Sequence, residues 1–261
     1  MLFVLSPAKT LDFSPAPGLP ATRPEFLKDS AELARVARKL TRVDLMELMD
    51  ISEKLADLNV TRFKELDPTC DEGGLQAALA FAGDVYDGLR ARELDGPALD
   101  YAQAHVRILS GLYGLLRPLD CIQPYRLEMG VALRTRRGAN LYDFWGDRLS
   151  RALRKAASDH ADPTLVNLAS QEYFGAVDAR ALKLPVLNIR FEDDKDGQSR
   201  VLAFFAKKAR GEMARFAIDA RAERTEELKA FEGMGYRFQP ARSRPGEWVF
   251  ARAQPPPVVA A

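Results

Sequence analysis

Short apolar runs that each break into a polar loop constrain the fold of this chain more than any other feature. Four of them have the length and composition of buried strands: Leu2–Leu5, Val106–Ser110, Thr164–Ala169 and Val186–Glu192. Amphipathic segments such as Glu25–Leu40 lie between them, with apolar side chains at helical spacing. This interleaving predicts a mixed α/β (α+β) fold in which helices wrap a β-sheet.

The last part of the chain adds antiparallel pairing to this sheet. Asp196-Gly197 is a strong hairpin signal, and we predict a strand on each side of it, the second over Arg200–Ala206. Trp248–Arg252 is predicted to be a closing strand. The sheet is therefore expected to be mixed rather than purely parallel.

Composition limits the class of protein. The 261 residues are 47% hydrophobic and 29% charged, which is ordinary for a globular chain. No apolar run approaches the ~20 residues that span a bilayer, and no basic region precedes the first apolar residues. We therefore expect a cytoplasmic bacterial protein without membrane contact. No segment resembles an interdomain linker, so we predict one globular domain over residues 1–252 and a disordered, proline-rich tail over 253–261.

Charge is balanced overall but unevenly distributed. The formal net charge is only +1, yet residues 117–155 carry nine Lys or Arg against four Asp or Glu, and residues 207–224 carry six against three. Residues 60–104 show the reverse, with four against nine. A nearly neutral protein with such segregation is able to present a basic cleft to phosphates. The alternative is that these residues form solvated helix faces.

Cysteine and histidine are scarce. The chain has two of each, Cys70 and Cys121 with His105 and His160, which argues against a zinc or iron site of four such ligands. We predict no metal site and no cofactor; an iron site built from carboxylates alone is the alternative. The wide spacing of the cysteines indicates no disulfide framework. A reactive thiol needs an electropositive, accessible setting, and Cys121 is the better candidate because Arg117 and Arg126 lie near it in sequence. The alternative is a small buried hydrophobe.

Polar side chains gather where the apolar runs end. Loops beyond strand ends are where ligands bind in sheet-based folds, and Lys or Arg from several loops suit phosphate. The candidate DNA- or anion-binding residues of this type are Ser6, Lys9, Ser110, Tyr113, Arg117, Tyr125, Arg126, Lys207, Lys208 and Arg210. Glu128 and Glu172 are the candidate general acids or bases if the site is catalytic. A network of mutually paired polar groups is the alternative.

Several well-known catalytic patterns are missing from the sequence. It contains no G-x-x-x-x-G-K-[ST], no G-x-G-x-x-G after a strand and no G-x-S-x-G. A Ser-His-Asp triad would have to use His105 or His160, and neither has a suitable setting. Whether the chain is an enzyme is left open by these residues.

Four blocks together carry a family resemblance that covers nearly the whole chain. They are MLFVLSPAKTLDF, SGLYGLLRPLD running into QPYRLEMG, LYDFWGD and FFAKKARG. In this order they resemble the YaaA family of peroxide-stress-resistance proteins. The resemblance implies a compact mixed α/β fold, protection from peroxide, limitation of iron-dependent damage, and binding of duplex or structurally irregular DNA.

The resemblance also points to a helix–hairpin–helix element near residues 49–66. The family hairpin resembles L-A-G-I-N, and this chain has Leu55-Ala56-Asp57-Leu58-Asn59, with Asp57 where glycine is expected. We predict two short helices around that hairpin, with Asn59, Arg62 and Lys64 facing a DNA phosphate. The carboxylate of Asp57 would repel the phosphate. A pair of short helices without a DNA role is the alternative.

The leading hypothesis is therefore a peroxide-stress protein that binds duplex DNA, intact or bulged, through a basic cleft and without sequence specificity. The rival hypothesis is an enzyme that acts on a nucleotide, a nucleobase or another small anionic metabolite in the same cleft, with Glu128 or Glu172 as acid or base. An open groove of duplex width favours DNA, whereas a closed pocket of a few hundred Å³ favours a small ligand.

Overall fold

A central β-sheet flanked by helices organises the chain in a computed structural model that describes residues 1–16, 18–70 and 73–255. The strands are β1 (Leu2–Leu5), β2 (Thr10–Leu11), β3 (Leu75–Gln76), β4 (Phe81–Ala82), β5 (Val106–Ser110), β6 (Gly114–Leu116), β7 (Cys121–Ile122), β8 (Leu165–Leu168), β9 (Val186–Lys195), β10 (Gln198–Arg200), β11 (Arg237–Phe238) and β12 (Glu247–Ala253). The mixed α/β prediction is confirmed.

Along the chain, the helices lie between these strands. They are α1 (Leu27–Ala37), α2 (Arg42–Met49), α3 (Glu53–Glu65), α4 (Ala77–Ala80), α5 (Asp84–Leu89), α6 (Gly96–His105), α7 (Leu141–Trp145), α8 (Arg148–Ala157), α9 (Gln171–Phe174), α10 (Ala179–Leu182) and α11 (Ala203–Ala220). Short 3₁₀ turns occupy Ala91–Glu93, Thr225–Ala230, Gly233–Gly235 and Pro240–Arg242. No helix among the described residues is long and apolar enough to cross a membrane.

The main sheet has a parallel centre and antiparallel edges. Its order is β11-β12-β9-β8-β1-β5-β6, and β10 pairs with β9. β1 is parallel to both β5 and β8, β8 is parallel to β9, and β12 is parallel to β9. β6, β10 and β11 each return antiparallel to a neighbour. The expected mixed sheet is therefore present, although β12 runs parallel to its partner β9.

β1 lies at the middle of the core. Every residue from Met1 to Leu5 is fully buried, because parallel strands covered on both faces need apolar side chains at every position. Helices α6, α8 and α11 all contact this strand. The four-residue apolar run at the amino terminus of the sequence is thus the central strand of the sheet.

The predicted hairpin within residues 55–59 is wrong. A single helix, α3, runs through Asp57, Leu58 and Asn59, and Ser52 caps its start by accepting a hydrogen bond from the Leu55 N–H. Ala56, Asn59 and Phe63 are buried at helical spacing, so this segment has one continuous inward face. The turn between helices lies earlier, where Asp50 adopts a left-handed conformation after α2.

Two further boundaries differ from the prediction. The predicted helix over Leu141–Ala157 is divided, because Gly146 has a φ of 52° and separates α7 from α8. The strand predicted over Arg200–Ala206 ends at Arg200, and α11 begins at Ala203. The hairpin at Asp196-Gly197 is present, with positive φ at both residues.

Cys70 and Cys121 are joined by a disulfide bond with a Cα–Cα distance of 6.0 Å. The expectation that the cysteines are unpaired is therefore wrong. Their separation of 51 residues gives no local signal, since the antiparallel pairing of β3 with β7 is what places Cys121. Residues 256–261 of the predicted disordered tail lie outside the described residues, and the single domain over 1–252 stays a prediction.

The amino-terminal end of β1 is held by both histidines of the chain. His105 Nδ1 and His160 Nδ1 lie 2.9 and 2.8 Å from the Met1 carbonyl oxygen. Because a carbonyl oxygen only accepts, each Nδ1 carries a proton and donates it. The two rings stack at 4.4 Å, and Tyr101 stacks on His105 at 4.0 Å. Burial lowers the pKa of His105 and of His160 below the ordinary value of 6.5.

We predict that Gly211→Ala destabilises the fold through the contact between α5 and α11. A Cβ at residue 211 would lie 1.8 Å from the Val85 carbonyl oxygen, so the two helices would have to separate. We expect the free energy of unfolding in urea to fall by about 1–3 kcal/mol. Gly96→Ala is the matched control, because no atom lies within 4 Å of its Cβ position, and it should change the value by less than about 0.5 kcal/mol. Equal effects of the two substitutions would contradict the close packing.

We predict that the histidine pair makes stability fall in mild acid. The fold favours neutral imidazoles, so the unfolded chain binds more protons as the pH drops through 6.5 and the free energy of unfolding decreases. Urea unfolding at pH 7.5 and pH 5.5 measures this decrease at constant ionic strength. His160→Asn should show a smaller decrease than the unsubstituted chain, and an unchanged decrease would remove the pair as its cause.

Candidate anion-binding site

Three serines mark the place where the carboxyl ends of the central strands meet. Ser6 follows β1, Ser110 ends β5, and Ser170 follows β8. Because β5 and β8 flank β1 and run parallel to it, all three serines lie at the same edge of the sheet. The chain crosses from one side of β1 to the other between β5 and β8, which is the topological switch point where open α/β sheets bind ligands.

Hydrogen bonds join the loop after β1, which carries Ser6, to the loop after β8, which carries Ser170. The Ser170 N–H donates to Ser6 Oγ at 2.9 Å, and the two hydroxyl oxygens are 3.3 Å apart. Tyr86 on α5 donates its hydroxyl to the Ser6 carbonyl oxygen at 3.0 Å. The loop after β1 is thereby fixed from two sides. Tyr86 gave no sequence signal, because only the packing of α5 brings it here.

The loop that follows β5 is held by a buried, hydrogen-bonded pair of Ser110 and Tyr125. Ser110 Oγ lies 2.6 Å from the Tyr125 hydroxyl and also accepts the Tyr113 N–H at 2.9 Å. Gly111 is required here, since a Cβ at that residue would lie 2.2 Å from the Leu127 carbonyl oxygen. Burial raises the pKa of the Tyr113 and Tyr125 hydroxyls, so both remain protonated near neutral pH.

Charged side chains lie beside this pair. Glu128 accepts from Lys9 at 3.2 Å and from Arg126 at 3.0 Å. The Lys9 side chain is 63% exposed, whereas those of Arg126 and Glu128 are 15% and 14% exposed. Two cations therefore share one carboxylate, and Lys9 reaches solvent. This is a candidate surface for an additional anion.

Arg62 of α3 lies near Arg126 and adds a third cation to these charged side chains. Burial and the nearby Arg126 guanidinium both lower the pKa of Arg62. No carboxylate within the described part of the chain forms an ion pair with it. The sequence placed Arg62 in a separate hairpin, yet the fold sets it beside the strand-end loops. We call Lys9, Arg62, Arg126 and Glu128 the basic cluster.

The cavity at this cluster is small. It has a volume of about 10 Å³ and is lined by Pro7, Ala8, Lys9, Tyr125, Arg126, Leu127, Glu128 and Tyr173. That is room for about one water molecule. Glu172 directly precedes Tyr173 in the sequence, and its Oε1 atom accepts a hydrogen bond from the Gly130 N–H at 3.0 Å. A ligand would therefore be contacted at the mouth of this cavity and not enclosed by it.

Several other predicted residues have no hydrogen bond or ion pair to the basic cluster within the described part of the chain. Arg117 is engaged by Asp120 at 2.8 Å. Lys207, Lys208 and Arg210 lie on α11, and no hydrogen bond or ion pair in the described ranges links them to the cluster. Burial lowers the pKa of Arg210. Asn59 is buried inside α3 and donates to the Leu55 carbonyl oxygen at 2.7 Å, so it does not face a ligand.

Metal binding has no obvious location in the described residues. No group of three or more His, Cys, Asp or Glu side chains within them is placed to hold a metal ion. The carboxylates at the site are instead engaged by cations and a backbone N–H. The cationic donors of this site suit an anion.

Comparison with known proteins assigns the family. The family model described as "Peroxide stress protein YaaA" matches residues 1–242. A UPF0246 protein of Caulobacter vibrioides (strain NA1000 / CB15N) is 63% identical over 256 residues, which cover 98% of this chain and 100% of the relative. A UPF0246 protein of Phenylobacterium zucineum (strain HLK1) is 63% identical over 261 residues, covering 100% of this chain and 98% of the relative.

More distant relatives align over the same length. A UPF0246 protein of Dinoroseobacter shibae (strain DSM 16493 / NCIMB 14021 / DFL 12) is 53% identical over 256 residues, covering 98% of this chain and 96% of the relative. Both the family match and these alignments include the strand-end loops and the basic cluster. The chain therefore belongs to the YaaA family of peroxide stress proteins.

Proposed function

We propose that this protein acts in the peroxide stress response by binding the phosphate backbone of duplex DNA, intact or bulged, without reading its sequence. In this proposal the binding limits iron-dependent oxidative damage to the DNA. The observation that carries the proposal is the position of Arg62 near Arg126, which brings together two arginines that are far apart in sequence. Membership of a peroxide stress family supplies the physiological setting.

The charges of the basic cluster support a phosphate ligand. Lys9 and Arg126 share the carboxylate of Glu128, and Arg62 lies near Arg126, so the cluster has three cations and one carboxylate. Two arginines held close together repel each other, and a shared anion relieves that repulsion. Arginine also presents a planar fork that matches two phosphate oxygens. Phosphate contacts of this kind position DNA but carry no sequence information.

The small volume of the cavity also supports a ligand that contacts the basic cluster without entering the cavity. A nucleobase or nucleotide needs a pocket of a few hundred Å³, and this cavity has about 10 Å³. A phosphate in a polymer backbone needs only the exposed ends of the cationic side chains. Lys9 is exposed at the mouth, and Lys64 is an exposed residue on the same helix as Arg62. Both side chains are thus free of enclosure by the fold, as contact with a polymer backbone requires.

An enzyme acting on a small anionic metabolite remains the second candidate. What favours it is the buried pair of Ser110 and Tyr125 at the switch point, with Glu128 and Glu172 nearby as possible acids or bases. This reading requires the loops that carry Lys9 and Arg126 to move apart before a substrate enters. Competition between DNA and mononucleotides separates the two candidates.

We predict that Arg62→Ala/Arg126→Ala weakens DNA binding and its dependence on salt. Fluorescence anisotropy with a labelled duplex, at several salt concentrations, gives the slope of log Kobs against log[salt]. Each lost phosphate contact should reduce the magnitude of that slope by about 0.9. Glu128→Gln should act in the opposite direction, because it removes the carboxylate that competes for Lys9 and Arg126.

Arg237→Ala is the matched control for this experiment, since Arg237 is 72% exposed on the edge strand β11. It should leave the slope unchanged. Thermal unfolding of each variant confirms that the fold is intact. If the double variant binds DNA as the unsubstituted chain does, the basic cluster is not the contact. Displacement of DNA by a mononucleotide at micromolar concentration would instead favour the enzyme.

A separate prediction concerns α11. Lys207 is exposed and Lys208 partly exposed in the second turn of this helix. If the DNA contact extends to α11, Lys207→Ala/Lys208→Ala should reduce the slope as well, again by about 0.9 for each lost contact. An unchanged slope would confine the contact to the basic cluster. The same anisotropy titration measures the slope for this variant and for the unsubstituted chain.

A further inference from the structure

We propose that Cys70 and Cys121 are a reversible dithiol–disulfide site, closed by hydrogen peroxide and reopened by a thiol reductant. The site lies on the loop that follows α3 and on β7. The proposal does not depend on DNA binding. It concerns the only two cysteines in the 261 residues.

The fold brings these cysteines together by specific means. β7 pairs antiparallel with β3, which sets Cys121 opposite Gln76. A hydrogen bond from the Asp67 N–H to Gln123 Oε1, 2.6 Å long, holds the end of α3 to the segment after β7. These contacts do not involve sulfur, so they bring the two thiols close whether or not the bond between them has formed.

Gly74 leaves space for the two sulfur atoms. A Cβ at this residue would lie 1.8 Å from Cys70 Sγ and 2.4 Å from Cys121 Sγ. Gly74 does not have a positive φ, so its backbone conformation does not require glycine. Residue 74 has to lack a side chain because the two sulfur atoms occupy the space that a Cβ would fill. Cys70 itself has a φ of 60°, a left-handed conformation that non-glycine residues rarely adopt.

The pair is accessible to small reactants. Cys70 and Cys121 are both partly exposed, unlike the fully buried side chains of the core. Exposed disulfides are the ones that exchange readily with thiols, whereas buried structural ones resist reduction. In a reducing compartment a disulfide of this kind is usually transient and redox-sensing. Its position at the surface therefore favours a reversible bond.

The reaction balances with hydrogen peroxide as the oxidant. The thiolate of one cysteine attacks a peroxide oxygen, the O–O bond breaks, and the departing hydroxide takes a proton to become water. The cysteine is left as a sulfenic acid. The second thiol then attacks that sulfur, the S–S bond forms, and the hydroxyl group leaves as a second water. A dithiol reductant reverses the state by two thiol–disulfide exchanges.

Counting thiols in the full chain tests the proposal. The protein is reduced with dithiothreitol, desalted, exposed to hydrogen peroxide, and alkylated before intact and peptide mass spectrometry. We expect both thiols to disappear together, with a peptide that links residues 70 and 121, and to return after dithiothreitol is added to the folded protein. Cys70→Ser and Cys121→Ser should each form no internal bond and accumulate a sulfenic acid that a dimedone probe traps.

Gly74→Val offers a matched variant that keeps both thiols but fills the space between them. We expect its disulfide to form at least tenfold more slowly than that of the unsubstituted chain. Circular dichroism and thermal unfolding establish that the variant is folded, and Gly74→Ala takes its place if it is not. Two results overturn the proposal: reduced protein that keeps both thiols in peroxide, or a disulfide that dithiothreitol reduces only after unfolding.

Discussion

The parallel pairing of β1 with β5 on one side and β8 on the other is the interaction on which the rest of the structure depends. It buries five consecutive residues from Met1 to Leu5 and sets their neighbours on both faces. It also fixes the direction of the three strands, so that Ser6, Ser110 and Ser170 emerge at one edge. A strand of four residues thereby determines where the candidate site is located.

Polar groups at that edge are held mainly by one another. Serine and tyrosine hydroxyls satisfy backbone groups of neighbouring loops, and Glu128 is shared between two cations. The result is a preorganised surface with little internal space. Such an arrangement costs little conformational entropy when a ligand arrives, because the contacting side chains are already ordered. The excess of cations over carboxylates is the property on which the proposed phosphate contact rests.

The sequence predicted those parts of the molecule that depend on local pattern. The strands β1, β5 and β8 were predictable because each apolar run ends at a polar residue, and Ser6 and Ser110 were identified with the first two of them. The proximity of Arg62 to Arg126 was not, because it depends on how α3 packs. The same limit applies to the cysteines, whose pairing depends on two two-residue strands, β3 and β7. At residues 55–59 the resemblance to a hairpin was misleading, although the spacing of Ala56, Asn59 and Phe63 already fitted one helix.

The pairing of β1 with β8 has a consequence for biosynthesis. Leu2 pairs with Leu165, so β1 has no partner on that side until more than 160 further residues have been made. At bacterial translation rates this takes roughly ten to thirty seconds. During that interval the edge of β1 that pairs with β8 is unpaired, and residues Met1 to Leu5 lack their full burial. Completion of the sheet around its central strand therefore waits for a strand that is made much later.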